Sequence, residues 1–335
     1  MRSSWRWNRR WGRRRSRLSI KVLFFSHDSK LGDAIVNTAF VAGLKRLDPA
    51  CEIHATVAGV TDAFWAQDAR VARRWTYAIR SWKHAIQLAL ALRRERFDYI
   101  VTWLRPRSEK NKLLLWLARP GRVIDLDEFN RGPVQHKVAA CREALAQMGR
   151  RCDGELAYDV RAEARCAQLD AAFASGQEVI VVNLFAADAE RNVSLADAVT
   201  LVRGLHAQAP DAALCLPCCG AHEAQAREVV AQSGVGEVVS CEGNLARLFR
   251  LCQRADLVVS PDTAVVHIAS AFDRPVIGIY QNNGIKPVQW GPRSRASAIV
   301  LSKSAQTLDG FSIAEVLLHA RHLRAASDTR EPATA

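Results

Sequence analysis

One stretch of the sequence indicates the fold class of this chain, Leu257-Val-Val-Ser-Pro-Asp-Thr-Ala-Val-Val-His-Ile-Ala-Ser-Ala-Phe-Asp-Arg-Pro-Val-Ile-Gly-Ile-Tyr280. The largely apolar segments at 257–260 and 276–280 are typical of strands that are buried on both faces. Between them a polar turn leads into a short helical pattern, and Asp262 or Thr263 can cap that helix. A strand, a helix and a second strand in this order predict parallel strands joined by a helical crossover.

The same alternation of strand and helix patterns extends over the rest of the chain. Before residue 150, strands are predicted at 20–25, 52–57 and 99–103, with helices from Ala34, at 82–93 and at 135–148. After residue 160, strands at 178–183, 213–216 and 237–240 precede the quoted stretch, and helices begin near Ser194, Ala221, Leu245 and Thr263. Glycine and charged residues at 149–160 interrupt the alternation. The pattern predicts an α/β chain of two Rossmann-like, doubly wound domains that face each other across a cleft.

Length and composition agree with two domains. The chain has 335 residues, 49% of them hydrophobic, which is enough for two medium-sized cores. We place a basic arm at 1–18, an N-terminal domain at 19–155, a C-terminal domain at 156–325 and a disordered tail at 326–335. No apolar run approaches the roughly 20 residues of a membrane-spanning helix. Nine cysteines in apolar surroundings, without a secretory signal, favour a reducing cytoplasm.

The positive charge is concentrated in the N-terminal arm. The formal net charge is +13, and residues 1–18 contain eight arginines, three tryptophans and no acidic residue. Such a segment suits the anionic inner face of the inner membrane, where the cations meet headgroups and the indoles lie at the interface. Nucleic acid attracts the same composition and is the weaker alternative. A disordered leader or an incorrectly assigned start codon would explain the arm without a partner.

Two further segments carry residues suited to chemistry at the carboxyl edge of a parallel sheet. In Ser26-His-Asp-Ser-Lys-Leu-Gly-Asp33, Gly32 permits close approach of a ligand, and Asp33 can accept a proton or cap the next helix. In the loop at 183–194, the single cation Arg191 can bind phosphate oxygens in a bidentate fork. The helix start after Asp262 offers free backbone amides, which also receive phosphate. These features point to a phosphorylated substrate.

Taken together, these segments resemble the signature regions of the ADP-heptose:lipopolysaccharide heptosyltransferases, glycosyltransferase family nine. Residues 262–269 are similar to that family's Asp-Thr-Gly/Ala, two apolar residues and His-Leu/Ile-Ala, and Leu-Gly-Asp at 31–33 is the second match. The resemblance implies the GT-B fold, with the acceptor on the N-terminal domain and a nucleotide-sugar donor on the C-terminal domain. It also implies an inverting transfer, without metal or cofactor, of a heptose or related sugar to a lipopolysaccharide core or other cell-surface glycan.

The resemblance also assigns roles to individual residues. Asp33 would be the general base for the acceptor hydroxyl, while Arg191 and the backbone amides near Thr263 would stabilise the departing diphosphate. The implied donor-binding residues, with Glu223 on the ribose, are Gly32, Glu223, Asp262, Thr263, Ala264 and His267. Taken alone, His267 is more often a packed core histidine. For a phosphorylated glycolipid or oligosaccharide acceptor, the basic loops offer Arg105, Arg107, Lys110 and Arg131.

Several alternatives stay open. The family often has lysine, an aromatic residue and proline where this chain has Arg191-Asn192-Val193-Ser194, so the donor contacts can differ. Asp125-Leu126-Asp127 matches the Asp-x-Asp motif with which other glycosyltransferases hold a divalent metal. A zinc site would draw on Cys215, Cys218, Cys219 and His222. A non-catalytic binding protein of the same fold and a nucleotide-sugar epimerase are the alternative functions.

Overall fold

The computed structural model describes residues 19–26, 29–77, 81–103, 108–130, 132–162, 164–173 and 176–328. The predicted arm at 1–18, residues 329–335 of the predicted tail and the candidate acceptor residues Arg105, Arg107 and Arg131 lie outside the described residues. The chain divides into two compact units between Arg161 and Ala162. The boundary predicted between residues 155 and 156 falls in the irregular segment that leads to this division.

Unit 1 contains a five-stranded parallel sheet with the strand order β3-β2-β1-β4-β5. Its elements are β1 (Lys21–Phe25), α1 (Leu31–Leu47), β2 (Glu52–Val57), α2 (Val60–Trp65), β3 (Val71–Thr76), α3 (Trp82–Glu95), β4 (Tyr99–Thr102), α4 (Glu109–Ala118), β5 (Arg122–Asp125) and α5 (Lys137–Gln147). The chain builds outward from β1 to β3 and then crosses to β4 and β5. Right-handed crossovers in opposite directions lie on opposite faces of a sheet, so α1 and α2 cover one face and α3 and α4 the other.

Unit 2 contains a six-stranded parallel sheet with the order β11-β10-β9-β6-β7-β8. Its elements are α6 (Ala167–Ala172), β6 (Val179–Val182), α7 (Leu195–Gln208), β7 (Ala213–Cys218), α8 (Glu223–Ser233), β8 (Glu237–Ser240), α9 (Leu245–Arg254), β9 (Leu257–Pro261), α10 (Ala264–Ala271), β10 (Val276–Tyr280), α11 (Lys286–Gln289), β11 (Ser297–Leu301) and α12 (Ile313–Asp328). The central strands β6 and β9 are buried along their whole length, as their apolar runs predict. Two parallel sheets with covering helices confirm the predicted α/β class.

Several element boundaries differ from the predictions. The first helix begins at Leu31 instead of Ala34, so Gly32 and Asp33 lie in its first turn and not in the preceding loop. Helix α12 continues to Asp328, into the first residues of the predicted tail. Where the chain is described, none of the helices combines the length and apolar character needed to cross a membrane.

The sequence prediction missed three strands, β3, β5 and β11, and all three lie at the edge of a sheet. Edge strands keep part of their side chains in water, and charged residues interrupt the apolar runs of β3 and β5. In β3, Arg73 and Arg74 are exposed. Arg73 pairs with Glu95 on the neighbouring helix α3 at 2.7 Å. The charged residues explain why β3 and β5 were not predicted, whereas β11 is apolar from Ala298 to Leu301 and its omission has no such explanation.

Strand β2 contains a buried histidine, His54, whose surroundings predict that folding stability depends on pH. Nδ1 of His54 accepts the indole N–H of Trp75 at 3.0 Å, and Nε2 lies 2.7 Å from Oε1 of Glu52. Burial lowers the pKa of His54 below its ordinary value of 6.5, against the opposite effect of Glu52. The unfolded chain therefore binds a proton first as the pH falls. The contribution of neutral His54 to stability is fully present above about pH 6.5. It decreases as the pH falls from there toward the lower pKa of His54 in the folded state.

We expect the free energy of unfolding of unit 1 to fall by up to about 1.4 kcal/mol per pH unit in that window. Urea unfolding between about pH 5 and pH 8 measures this slope. His54→Gln should be less stable at neutral pH but should lose the slope that begins below about pH 6.5. His84→Gln, at an exposed histidine of α3, is the matched control and should keep it. An unchanged slope in His54→Gln would assign the pH dependence to other groups.

Candidate functional site

Most of the predicted donor-binding residues lie near the place where the strand order of unit 2 reverses, whereas Gly32 lies in unit 1, in the first turn of α1. Strand β6 pairs with β7 on one side and with β9 on the other, so the chain builds the sheet in both directions from this point. At such a switch point neighbouring loops diverge and leave a crevice, which is where open α/β sheets bind ligands. The loop after β6 contains Asn183 and Arg191, and the turn after β9 contains Asp262 and Thr263.

Thr263 is the N-cap of α10, and a buried amide holds it in place. Its Oγ1 accepts the backbone N–H of Val265 at 3.3 Å. Nδ2 of Asn183 donates to Oγ1 of Thr263 and to Oγ of Ser260, both at 3.0 Å. Asn183 and Ser260 are buried, so these hydrogen bonds fix the start of α10 relative to β6. Asn183 was not predicted as a site residue, although its position directly after a buried strand is a signal that the sequence contains.

Arg191 is held against the same turn and does not project freely from its loop. Its Nη1 donates to the backbone oxygen of Asp262 at 2.5 Å and lies 3.3 Å from Oδ2 of Asp262. Its Nη2 donates to Oδ2 of Asp188 at 2.5 Å. The side chains of Arg191 and Asp262 are 15% and 9% exposed, whereas that of Asp188 is 59% exposed. The structure therefore brings Arg191, Asp262 and Thr263 together, and it adds Asp188 as a neighbour that the sequence analysis did not consider.

The start of α10 adds a second source of positive potential to this place. Ala264 is the first helical residue, and the backbone amides of a first turn have no acceptor within their own helix. The helix dipole makes this end attractive to anions. A guanidinium beside a helix N-terminus can bind the two linked phosphates of a nucleoside diphosphate.

His267 lies on α10 but is only 2% exposed. Its ring packs against Trp290, with the ring centroids 5.9 Å apart. The backbone oxygen of Trp290 accepts the hydroxyl of Tyr280 at 2.7 Å, which ties this contact to β10. The burial supports the packing interpretation of His267, so we limit its role to shaping the pocket by supporting α10.

Glu223 lies after the neighbouring strand β7, as the first residue of α8. Its carboxylate accepts a hydrogen bond from Arg227, one helical turn later, at 2.5 Å. The preceding His222 stacks on Phe185, with the ring centroids 4.8 Å apart and the planes 4° from parallel. This stack joins the loop after β6 to the loop after β7. Glu223 is thus at the carboxyl edge of the same sheet as Asp262.

A cavity of about 370 Å³ lies beside this stack, between α7 and α8. Its lining is mostly apolar and includes Phe185, Val193, Leu195 and Val229. The predicted site residues do not line it. The cavity offers few ionic contacts, so it is unsuited to a diphosphate.

In unit 1, Asp33 also lies at a point where the strand order reverses, between β1 and β4. Trp103 directly follows β4, and its indole N–H donates to Oδ1 of Asn37 at 2.7 Å. Asn37 lies one turn after Asp33 on α1, so the two residues share a face of that helix. Nζ of Lys137 lies 4.2 Å from the centre of the Trp103 ring. Asn37, Trp103 and Lys137 were not predicted from the sequence, because their proximity depends on the order of the strands in space.

The carboxylates of the segment Asp125-Leu126-Asp127 are engaged by different groups. Oδ1 of Asp125 accepts the backbone N–H of Asp127 at 3.0 Å. Oδ1 of Asp127 lies 3.3 Å from Nζ of Lys137. Leu126 between them is fully buried. This arrangement gives no support to the metal-dependent alternative at this segment.

The cysteines of β7 and His222 do not gather as metal ligands. In the part of the chain that the structure describes, one group of metal-ligating side chains lies close together, namely Glu52, His54 and Glu95. Nζ of Lys21 lies 2.9 Å from Glu52 and 2.5 Å from Glu95, so an ammonium already balances these carboxylates. We therefore assign no metal to either place.

Among the four predicted acceptor residues, Lys110 is the one within the described ranges. It lies in the first turn of α4 and is partly exposed. Its Nζ is 5.9 Å from the centre of the Trp82 ring on α3. Lys110 thus belongs to the face of the sheet that α3 and α4 cover.

Comparison with known proteins identifies relatives of this arrangement. Residues 161–319 match the sequence model of glycosyltransferase family 9 (heptosyltransferase). No protein of curated function matches the chain in sequence.

Solved structures share the fold over nearly the whole chain. A family 9 glycosyl transferase from Veillonella parvula DSM 2008 has a TM-score of 0.74 at 15% identity, with 92% of this chain and 97% of that chain covered. ADP-heptose lps heptosyltransferase II of E. coli has a TM-score of 0.71 at 17% identity, with 92% and 100% covered. E. coli heptosyltransferase WaaC with ADP has a TM-score of 0.69 at 19% identity, with 91% and 100% covered. These similarities confirm the GT-B type of two Rossmann-like domains.

Proposed function

We propose that this protein is a glycosyltransferase that transfers a heptose from ADP-heptose to a lipopolysaccharide core, because residues 161–319 match the model of glycosyltransferase family 9 (heptosyltransferase). The family description and the E. coli heptosyltransferase that holds ADP support this donor. The observation that carries the proposal is the position of Arg191 beside the start of α10, which Thr263 caps. A guanidinium next to a helix N-terminus suits the diphosphate of a nucleotide sugar.

In the proposed reaction, an acceptor hydroxyl attacks the anomeric carbon of the heptose while the bond from that carbon to the diphosphate breaks. The hydroxyl proton passes to the carboxylate of Asp33. The electron pair of the broken bond stays on the diphosphate, where Arg191 and the first amides of α10 stabilise the charge. Attack on the side opposite the leaving group inverts the anomeric centre.

This assignment needs neither a divalent ion nor a cofactor, because protein groups carry the charge of the leaving group. Arg191 supplies a permanent cation, and the amides after Thr263 supply oriented dipoles. Glu223 would accept hydrogen bonds from the ribose hydroxyls, exchanging its contact with Arg227 for them. Lys110 would meet phosphate groups of the acceptor through long-range attraction.

The donor half of the proposal is tested by calorimetric titration of a panel of nucleotide sugars in EDTA. We expect ADP-heptose to bind the full-length chain with the same affinity in EDTA and in Mg²⁺. We expect UDP- and GDP-sugars to bind at least about tenfold more weakly, a difference of about 1.4 kcal/mol. The Asp125→Asn/Asp127→Asn double variant is the control for the metal alternative, and its donor affinity should match that of the wild type. Binding that requires a divalent ion, or no binding by any nucleotide sugar, would contradict the proposal.

A further inference from the structure

Helix α3 exposes a row of large apolar side chains on the surface of unit 1. Trp82, Ile86 and Leu90 are 50%, 38% and 42% exposed. They are spaced four residues apart, so they form a continuous stripe along the helix. The helix packs onto the sheet through a different set of residues, Ala85, Ala89 and Leu92. The stripe is therefore not needed for the core of unit 1.

Helix α4 extends this apolar area. It packs against α3 over the same face of the sheet. Its Trp116 is 52% exposed, the highest exposure of any large apolar side chain in the described residues. At the start of both helices, the ammonium of Lys110 lies 5.9 Å from the ring centre of Trp82. Two tryptophans and two aliphatic side chains are thus exposed on two adjacent helices that cover the same face of the sheet.

The charges around this area are predominantly positive. Lys83, Arg93 and Arg94 of α3 are exposed. The acidic residue at the end of α3, Glu95, is bound to Lys21 and Arg73. The acidic residue at the start of α4, Glu109, is paired with Lys112. The acids of these helices are therefore largely neutralised, whereas the exposed cations of α3 are available to a partner.

We propose that the α3/α4 surface, formed by Trp82, Ile86, Leu90, Trp116, Lys83, Arg93 and Arg94, docks on a bilayer that contains anionic phospholipid. Half-exposed tryptophans with flanking lysine and arginine are the combination that an acidic membrane interface favours. The inference does not depend on the proposed function.

Two other occupants fit the charges less well. Residues 1–18 contain eight arginines and no acidic residue, so this segment would be repelled by the cations of α3. A second copy that docked symmetrically would place the same cations opposite each other. Anionic headgroups match both the cations and the apolar side chains.

The test is co-sedimentation of the full-length chain with vesicles of phosphatidylglycerol and phosphatidylcholine, and with phosphatidylcholine alone. Trp82→Ser/Trp116→Ser should lower the partition coefficient on the anionic vesicles about tenfold. Lys83→Gln/Arg93→Gln/Arg94→Gln should lower it by up to about fivefold for each cation removed, and should weaken its dependence on salt.

Matched variants on other surfaces separate this effect from a general loss of apolar or charged groups. Ile285→Ser/Leu318→Ser removes two side chains that are 50% and 49% exposed in unit 2. Arg142→Gln/Arg151→Gln/Arg321→Gln removes three exposed cations of α5, its following loop and α12. Both controls carry the same N-terminal arm and should partition within about twofold of the wild type. All variants should keep the thermal midpoint of the wild type.

Two outcomes would overturn the inference. If the tryptophan and cation variants partition like the controls, any membrane binding comes from other parts of the chain. If the wild type is a dimer in solution and Trp82→Ser/Trp116→Ser is a monomer, the α3/α4 surface joins two copies.

Discussion

We expect Asp33→Asn to reduce kcat for heptose transfer by about 10²- to 10⁴-fold while the affinity for ADP-heptose stays unchanged. The amide keeps the shape of the side chain in the first turn of α1 but cannot take the proton of the acceptor hydroxyl. The interaction of the Asp33 carboxylate with the helix dipole would contribute only about 0.3–1 kcal/mol to the free energy of unfolding. Initial rates at saturating donor, with calorimetric donor titration on the same samples, separate the two effects.

Asp62→Asn is the matched control for this result. Asp62 also lies in the first turn of a unit 1 helix, α2, and pairs with Arg74 at the surface. Its loss should leave kcat within about twofold of the wild type, because an exposed ion pair contributes little. If Asp33→Asn retained full activity, the proton would have to leave through another group, and Asp33 would only stabilise the positive end of the α1 helix dipole.

The second large effect is expected for Arg191→Ala. Removing the guanidinium should lower kcat by about 10²- to 10³-fold, since the charge on the leaving diphosphate loses its nearest cation. The affinity for ADP should fall as well, by about tenfold or more, because the same group binds the ground state. Arg191→Lys should recover only part of the lost kcat and affinity. The lysine ammonium cannot contact Asp262 and a phosphate at the same time in the way that the planar guanidinium can.

Steady-state kinetics with direct ADP titration measure both changes. Arg203→Ala is the control, because Arg203 donates to the backbone oxygens of Gln232 and Ser233 and so has a structural role in the same unit. It should lower stability without lowering kcat. A normal kcat in Arg191→Ala would assign leaving-group stabilisation to the α10 amides alone.

The interior of both sheets was predictable from sequence because its signal is local. Residues 257–259 and 276–280 are apolar, and the structure buries every residue of β9 and β10. The turn that follows β9 was also predicted from the sequence. Asp262 or Thr263 was expected to cap the next helix, and Thr263 is the N-cap of α10. The edge strand β3 was not predicted from the sequence. Its arginines are favourable on an exposed edge, but they interrupt the apolar pattern that indicates a strand.

The site was only partly predictable, because its remaining contacts join residues that are far apart in the chain. Arg191 and Asp262 were both expected from their motifs, and the structure places them in contact. The contact between Trp103 and Asn37 was not expected, since it requires knowing that β4 lies beside β1. Strand order is set by the packing of the whole unit, so the sequence near Trp103 or Asn37 does not indicate it.

The buried amide of Asn183 has a consequence for the energetics of donor binding. Its two hydrogen bonds already hold Ser260 and Thr263 in the protein alone, so the turn that we propose to bind the diphosphate is preorganised. Little conformational entropy is then lost when the diphosphate arrives, and dipoles fixed in advance need no reorganisation as charge develops on the leaving group. Part of the catalytic power would thus reside in a side chain that never touches the substrate.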